Sequence, residues 1–312
     1  MKVFSTFHLP GDLHGRFAKK GISYSENRFN RSLTHGEIIS EASGCDGLIT
    51  LLSDRIDSDI IRSLKNCRVI ANYAAGYNNI DLTAAREAGI IVTNTPGILT
   101  SATAEITFTL ILAAARNLVP GEKMMREARF NGWQPELLLG HGLDGKTIGI
   151  IGAGRIAQKV AHIALAFGMN VIYHSRSEKP GMPGVFTPLA ELMATSDIVS
   201  LHIPLNEGTR NLISAPMLDL LKPSAILINT ARGEVLDEKH LIELLKAKRV
   251  FAAGFDVYEN EPAINPELLT LENAVLLPHL GSATFGTREA MAHLAADNVI
   301  AVLLGQSPLS PV

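Results

Sequence analysis

The chain has 312 residues, more than one ordinary hydrophobic core holds and a length that suits two domains. Hydrophobic residues make up 46% and charged residues 19%, an ordinary globular balance, and the net charge of -3 gives no electrostatic case for nucleic acid or an anionic membrane as a partner. Cys45 and Cys67, the two cysteines, form no Cys-x-x-Cys pair, which argues against a disulfide framework or a zinc ribbon and suits a reducing, cytoplasmic setting. The first residues lack the apolar core of a signal peptide, and the longest apolar stretch, Phe108 to Ala115, is too short for a bilayer.

In chain order, short apolar runs alternate with helical patterns. Val69 to Ala71 and Ile90 to Val92 read as buried strands. A boundary is expected near Thr95-Pro96-Gly97. A long helical pattern follows from Thr103 to Leu118, ending before Pro120-Gly121. Further strands are expected at Thr147 to Ile151, Asn170 to Tyr173, Ile198 to Ile203, Ala225 to Asn229, Ala252 to Val257 and Ala274 to Leu277. Helices are expected at Ile156 to Phe167 and Glu238 to Lys246. This alternation predicts an α/β fold with doubly wound parallel sheets. A last helical stretch, Thr287 to Leu303, has no strand behind it, and the pattern leaves its packing open. No fixed-period repeat or low-complexity tract interrupts the chain.

Between the strand at Thr147 and the helix after it stands Gly152-Ala153-Gly154-Arg155-Ile156-Ala157, a G-x-G-x-x-A sequence. Gly152 permits a tight turn and Gly154 lets a pyrophosphate approach the backbone. The helix N-terminus at Arg155 and Ile156 attracts the anion, and small Ala157 lets helix and strand pack closely. Strand before, helix after and a second strand about 20 residues on make this a dinucleotide site of the Rossmann type. At the end of that second strand an acid would bind the ribose hydroxyls of NAD. Here the run is Tyr173-His174-Ser175-Arg176-Ser177. A carboxylate would repel a 2'-phosphate, whereas Ser175, Arg176 and Ser177 can donate to it, so NADP(H) is favoured over NAD(H). The plainer alternative is that Arg176 is a solvated arginine of an NAD enzyme.

The later strands end on chemistry. Arg232 follows the strand at Ile226, Asp256 and Glu261 follow the strand at Ala252, and His279 follows the strand at Val275. A cation, carboxylates and an imidazole at strand C-termini stand where open α/β sheets bind ligands. Glu259, two residues before Glu261, is a competing carboxylate. The other nine histidines show no metal-ligand spacing, so no metal site is expected.

These segments resemble the D-isomer-specific 2-hydroxyacid dehydrogenase family. The matching runs are Asn229-Thr230-Ala231-Arg232-Gly233, Phe255-Asp256-Val257-Tyr258 through Glu261-Pro262, and Pro278-His279-Leu280-Gly281-Ser282-Ala283-Thr284. The fingerprint, Ser196 to Leu205, Asn72 to Asp81 and Val92 to Pro96 match as well. The first of these upstream runs and the cofactor run look most like glyoxylate/hydroxypyruvate reductases. The resemblance implies that His279 donates the proton, paired with Glu261, whose charge would favour the imidazolium. It implies that Arg232 binds the carboxylate and carbonyl of a small 2-oxoacid, with backbone amides of Ala75 and Gly76 on the other side of the carboxylate and Leu52 lining the pocket. It places Thr230, Ala231 and Asp256 against the cofactor. It also implies a homodimer. Residues 1–97 with 285–312 would form a smaller flavodoxin-like substrate domain, and residues 98–284 a Rossmann-type cofactor domain. Trp133, the single tryptophan, would either cover the partner's site or lie in the dimer interface. Residues 1–45 match the family pattern poorly, and Asn78 stands where many relatives carry an acid. Two other readings share this scaffold. One is a phosphoglycerate-dehydrogenase-like enzyme without a regulatory domain. The other is a nucleotide-sensing, co-repressor-like binding protein, against which the lack of a long extension or basic tail would speak.

Overall fold

A computed structural model describes all 312 residues. The chain divides into two compact units, Met1–Leu99 with Ala283–Val312, and Thr100–Ser282. The breaks lie within two residues of the expected 97/98 and 284/285, because the first helix of the second unit starts at Thr100.

In the first unit come β1 (Lys2–Ser5), α1 (Leu13–Ala18), β2 (Ser23–Glu26), α2 (His35–Ala42), β3 (Gly47–Leu51), α3 (Ser58–Ser63), β4 (Val69–Tyr73), α4 (Leu82–Glu87) and β5 (Ile91–Thr93). In the second come α5 (Thr100–Ala115), α6 (Leu118–Arg126), β6 (Thr147–Ile151), α7 (Arg155–Ala166), β7 (Asn170–His174), β8 (Val185–Phe186), α8 (Leu189–Thr195), β9 (Ile198–Leu201), α9 (Ala215–Leu218), β10 (Ile226–Asn229), α10 (Glu238–Lys246), β11 (Ala252–Phe255) and β12 (Ala274–Leu276). The chain then returns to the first unit as α11 (Phe285–Leu303).

The first sheet is parallel in the order β2-β1-β3-β4-β5, the flavodoxin-like order. One face packs on α1 and α11 around Phe17, Ile49, Val69 and Val299; the other packs on α2, α3 and α4 around Leu48, Ile60, Ile61 and Ile70. The packing of the last helix, left open by its pattern, is settled here. Thr284 caps it, and it buries Met291, Ala295, Val299 and Ile300 against β3, β4 and α1. Each fully buried Ile or Val side chain contributes about 1.5–3 kcal/mol.

The second sheet is parallel in the order β12-β11-β10-β9-β6-β7-β8, the Rossmann arrangement extended by one strand. One face carries α5 and α7 and the other α8, α9 and α10. The sequence pattern runs one helix through to Leu118. The backbone instead breaks at Asn117, which has φ 50° in the left-handed region, and α6 starts again at Leu118. Pro120 and Gly121 therefore lie in the first turn of a second helix, where a proline has no intrahelical hydrogen bond to lose. No single helix is long and apolar enough to cross a membrane.

Candidate active site

Because all seven strands of the second sheet are parallel, their C-terminal ends share one edge. Every site residue expected in this unit lies just beyond that edge. Across the strands the order is His279 after β12, Asp256 and Glu261 after β11, Arg232 after β10, His202 after β9, Gly152 after β6, and Ser175 to Ser177 after β7.

At the centre the Gly152 N–H donates to His174 O at 2.8 Å, tying the turn to β7. Gly152 has φ +116°, and an added Cβ would stand 2.3 Å from His202 O. Both the turn and the neighbouring chain require glycine there. Gly154, the N-cap of α7, has nothing within 4 Å of an added Cβ, and no side chain caps the helix. The first N–H groups of α7 thus have no side-chain cap, and the backbone before them leaves room at Gly154, a cradle that fits a pyrophosphate. Arg155 is exposed, Ile156 packs on the core and Ala157 is buried beneath it. Ser175 Oγ donates to Ser177 O at 2.6 Å, and Arg176 and Ser177 are exposed at the end of β7. No acid stands between His174 and Ser177.

The Arg232 turn is built by β10. Asn229, fully buried, accepts from Ala231 N–H at 3.0 Å and donates to Arg232 O at 2.8 Å, which clamps residues 229–232 into one turn. Thr230 Oγ1 shares a 3.0 Å hydrogen bond with Thr107 Oγ1 of α5. Gly233 then passes so close to the β11 loop that an added Cβ would stand 1.9 Å from Tyr258 C. That approach brings the arginine turn against the loop that carries Glu261. The Arg232 guanidinium is partly buried, and Nη1 donates to Ala231 O at 2.7 Å. Burial pulls it below its ordinary value, opposed by the nearby Glu261 and Glu234 charges.

His279 Nδ1 and Glu261 Oε2 are 2.8 Å apart. Glu261 Oε1 accepts from Tyr258 N–H at 3.0 Å, which fixes the carboxylate from behind. Burial alone would raise the Glu261 carboxyl; the hydrogen bond and charge of His279, the Tyr258 N–H and the Arg232 charge together hold it below the usual glutamate value. His279 itself has φ +56°, a left-handed conformation rare for a residue with a side chain. Asp256, almost fully buried, accepts from Leu280 N–H at 2.6 Å and Gly281 N–H at 2.8 Å, and so holds the backbone immediately after His279. Burial keeps the Asp256 carboxyl above its ordinary value despite those donors and the His279 charge. The structure thus brings Arg232, Glu261, His279 and Asp256 together at one end of the edge. The sequence reading overlooked Asn229 and the close approach at Gly233. His202, which it assigned no role, binds Ser200 Oγ through Nε2 at 2.8 Å, and burial pushes its imidazole down to about 3, so it is neutral.

Leu52, Ala75 and Gly76 belong to the first unit. Leu52 follows β3, Ala75 and Gly76 follow β4, and the two strands are neighbours in register, Leu51 opposite Tyr73. Leu52, Ala75 and Gly76 are partly buried. The amide of Asn79 joins the two loops, donating to Leu51 O and Asp54 O at 3.0 Å each.

A dinucleotide cradle with a paired histidine and carboxylate and an arginine along one sheet edge defines a nicotinamide-dependent dehydrogenase. A profile described as the NAD binding domain of D-isomer specific 2-hydroxyacid dehydrogenases matches residues 108–281. The chain is 45% identical to the glyoxylate reductase of Thermococcus gammatolerans, over 98% of this chain and 94% of that one. Its fold is similar to the TT0316 protein from Thermus thermophilus, with a TM-score of 0.94 and 45% identity over the whole of both chains. It is also similar to the NADPH-dependent glyoxylate/hydroxypyruvate reductase of Sinorhizobium meliloti, solved with NADP and malonate. That match has a TM-score of 0.88 and 28% identity, and covers 100% of this chain and 96% of that one. The chain belongs to the D-isomer-specific 2-hydroxyacid dehydrogenase family.

Proposed function

We propose that the protein reduces a small 2-oxoacid, glyoxylate or hydroxypyruvate, to the 2-hydroxyacid, with NADP(H) favoured over NAD(H). The observation that carries this reading is the 2.8 Å His279–Glu261 pair with Arg232 beside it, on the same sheet edge as the cradle. Ser175 to Ser177 beyond β7 would hold the adenosine end of the cofactor, Gly152 to Ile156 its pyrophosphate, and Thr230, Ala231 and Asp256 its nicotinamide end. From β7 to β10 is three strand spacings, roughly 14 Å. A nicotinamide held there would supply the hydride for the carbonyl carbon. Arg232 holds the carboxylate and polarises the carbonyl oxygen. With Nδ1 engaged by Glu261, His279 has Nε2 left to deliver the proton to the developing alkoxide. We assign Leu52 and the Ala75 and Gly76 amides, in residues 1–97 with 285–312, to substrate binding, and residues 98–284 to cofactor binding. The relatives named glyoxylate reductase support the substrate class, and the NADPH-dependent neighbour supports the cofactor.

Steady-state reduction of both 2-oxoacids with each cofactor tests this. The parent should show a higher kcat/KM with NADPH. Ser175→Asp should reverse the order, because a carboxylate repels the 2'-phosphate and accepts from a 2'-hydroxyl. A parent that prefers NADH would overturn the cofactor assignment.

A second proposal concerns assembly. Helix α6 buries none of its side chains, and Leu118, Val119, Met125, Phe130, Trp133 and Leu139 are exposed, Trp133 at 83%. So much apolar surface in one segment marks an interface. We assign it to a second copy of the chain, in a homodimer.

A further inference from the structure

The loop after β4 carries a feature that the family assignment does not require. Its three successive carbonyls, Ala74, Ala75 and Gly76, each accept from a different donor in the same unit. Thr95 N–H donates to Ala74 O at 2.8 Å. The Asn94 carboxamide donates to Ala75 O at 2.7 Å. The Asn72 carboxamide donates to Gly76 O at 2.8 Å. In a trans peptide the carbonyl and the following N–H point in opposite directions. Pinning these carbonyls therefore turns the N–H groups of Ala75, Gly76 and Tyr77 away from the protein donors that hold them. None of those three N–H groups donates to another part of the chain.

Both asparagines are themselves braced. Asn72 is fully buried, accepts from Thr50 Oγ1 at 3.0 Å and donates to Asn79 Oδ1 at 2.9 Å. Asn94 is nearly buried, and its backbone carbonyl accepts from Ser310 Oγ at 2.7 Å. Buried Asn298 on α11 donates to that same Ser310 Oγ at 2.8 Å and accepts from Leu309 and Ser310 N–H at 2.9 and 3.0 Å. The C-terminal tail thus supports the side chain that sets the Gly76 amide.

We infer that Asn72 and Asn94 are positioning residues for the substrate carboxylate. By holding Ala75 O and Gly76 O, they aim the Gly76 and Tyr77 N–H groups, so that Tyr77 N–H joins Ala75 and Gly76 as a third donor. Consecutive free N–H groups form an anion-binding element that carries no side-chain charge. The inference rests on the proposed 2-oxoacid reaction and adds to it the residues that orient the amides.

The test is a KM split in Asn72→Ala and Asn94→Ala. With saturating NADPH, KM for glyoxylate should rise about tenfold in each, the effect of one lost oriented hydrogen bond, while KM for NADPH stays within about twofold. An unchanged KM for glyoxylate would overturn the inference, and so would an equal loss in both constants, which marks general damage. If the variants do not fold, the parent decides the matter alone. Oxamate, an unreactive analogue of a 2-oxoacid, should shift the backbone amide resonances of Ala75, Gly76 and Tyr77 when added to the NADPH-bound, nitrogen-15-labelled protein. Binding of oxamate that leaves the Gly76 and Tyr77 amides unmoved overturns the inference and leaves the proposed reaction standing. A parent that neither reduces a 2-oxoacid nor binds oxamate overturns both.

Discussion

The Glu261 carboxylate sits between an imidazole it holds and a guanidinium it faces, and its lowered pKa is a statement about stability as well as catalysis. A carboxyl depressed in the folded state contributes stability above its unfolded value, about 4.3, and loses it as pH falls through the folded value. Glu261→Gln keeps a hydrogen-bonding group and removes the charge. The Tm of the parent should exceed that of the variant near neutral pH, and the gap should narrow as pH is lowered through the glutamate range. Calorimetry from pH 7 to pH 3 checks this; a gap that stays constant with pH would show that the folded protein does not stabilise the ionised carboxylate. The same variant should reduce 2-oxoacids more slowly, since the carboxylate that holds His279 Nδ1 at 2.8 Å is replaced by a neutral amide. At this scale the sequence was informative where chemistry sits in short ordered runs, as at Arg232, Glu261 and His279. It was silent on Asn72 and Asn94, because a buried asparagine reveals its role only when the carbonyl it holds is known, and that carbonyl lies as many as 19 residues away.

Among the elements, the turn after β10 and the loop after β11 depend on one another through Gly233. An added Cβ would stand 1.9 Å from Tyr258 C and 2.1 Å from Tyr258 O, backbone atoms that cannot rotate aside. Gly233→Ala should therefore displace the Arg232 turn from the Glu261 loop. Reduction should fall by at least about tenfold, with a lower Tm, whereas binding of the adenosine part of the cofactor at β6 and β7 should be spared. Full activity in Gly233→Ala, measured beside the dissociation constant of the cofactor, would show that the approach is looser than described. Strands buried along almost their whole length, such as β6 and β9, were readable as apolar runs, and α10 matched its predicted bounds, Glu238 to Lys246. The strands β1 and β2, with burial patterns that leave Lys2 and Ser23 exposed, gave too few apolar positions to stand out from loop. Helices of six residues, α1, α3 and α4, are too short for a 3.6-residue period to register. The break at Asn117 was hidden because apolar residues continue across it, and only the backbone's left-handed turn separates α5 from α6.

For the whole molecule, the proposed homodimer follows from surface that a single copy leaves bare. Light scattering should give a mass near twice the 33.5 kDa of one chain. Replacing Trp133 and Leu139 by glutamate should shift it towards the monomer, since buried unpaired charge opposes association. A parent that runs as a monomer at micromolar concentration would overturn the assembly. The two sheets were legible as a class from strand–helix alternation and the fingerprint. The return of the last helix to the first unit was legible only through the family resemblance, because an apolar helix pattern by itself carries no mark of the sheet it covers. The central claim, that one edge of the second sheet delivers hydride and proton to a 2-oxoacid, is tested most directly by His279→Asn. NADPH oxidation with glyoxylate or hydroxypyruvate should be rapid in the parent. In the variant kcat should fall by roughly 10²–10⁴, the usual contribution of a general acid, with NADPH binding unchanged. Turnover of the variant at the parental rate, or a parent that oxidises NADPH with neither 2-oxoacid, would contradict the account.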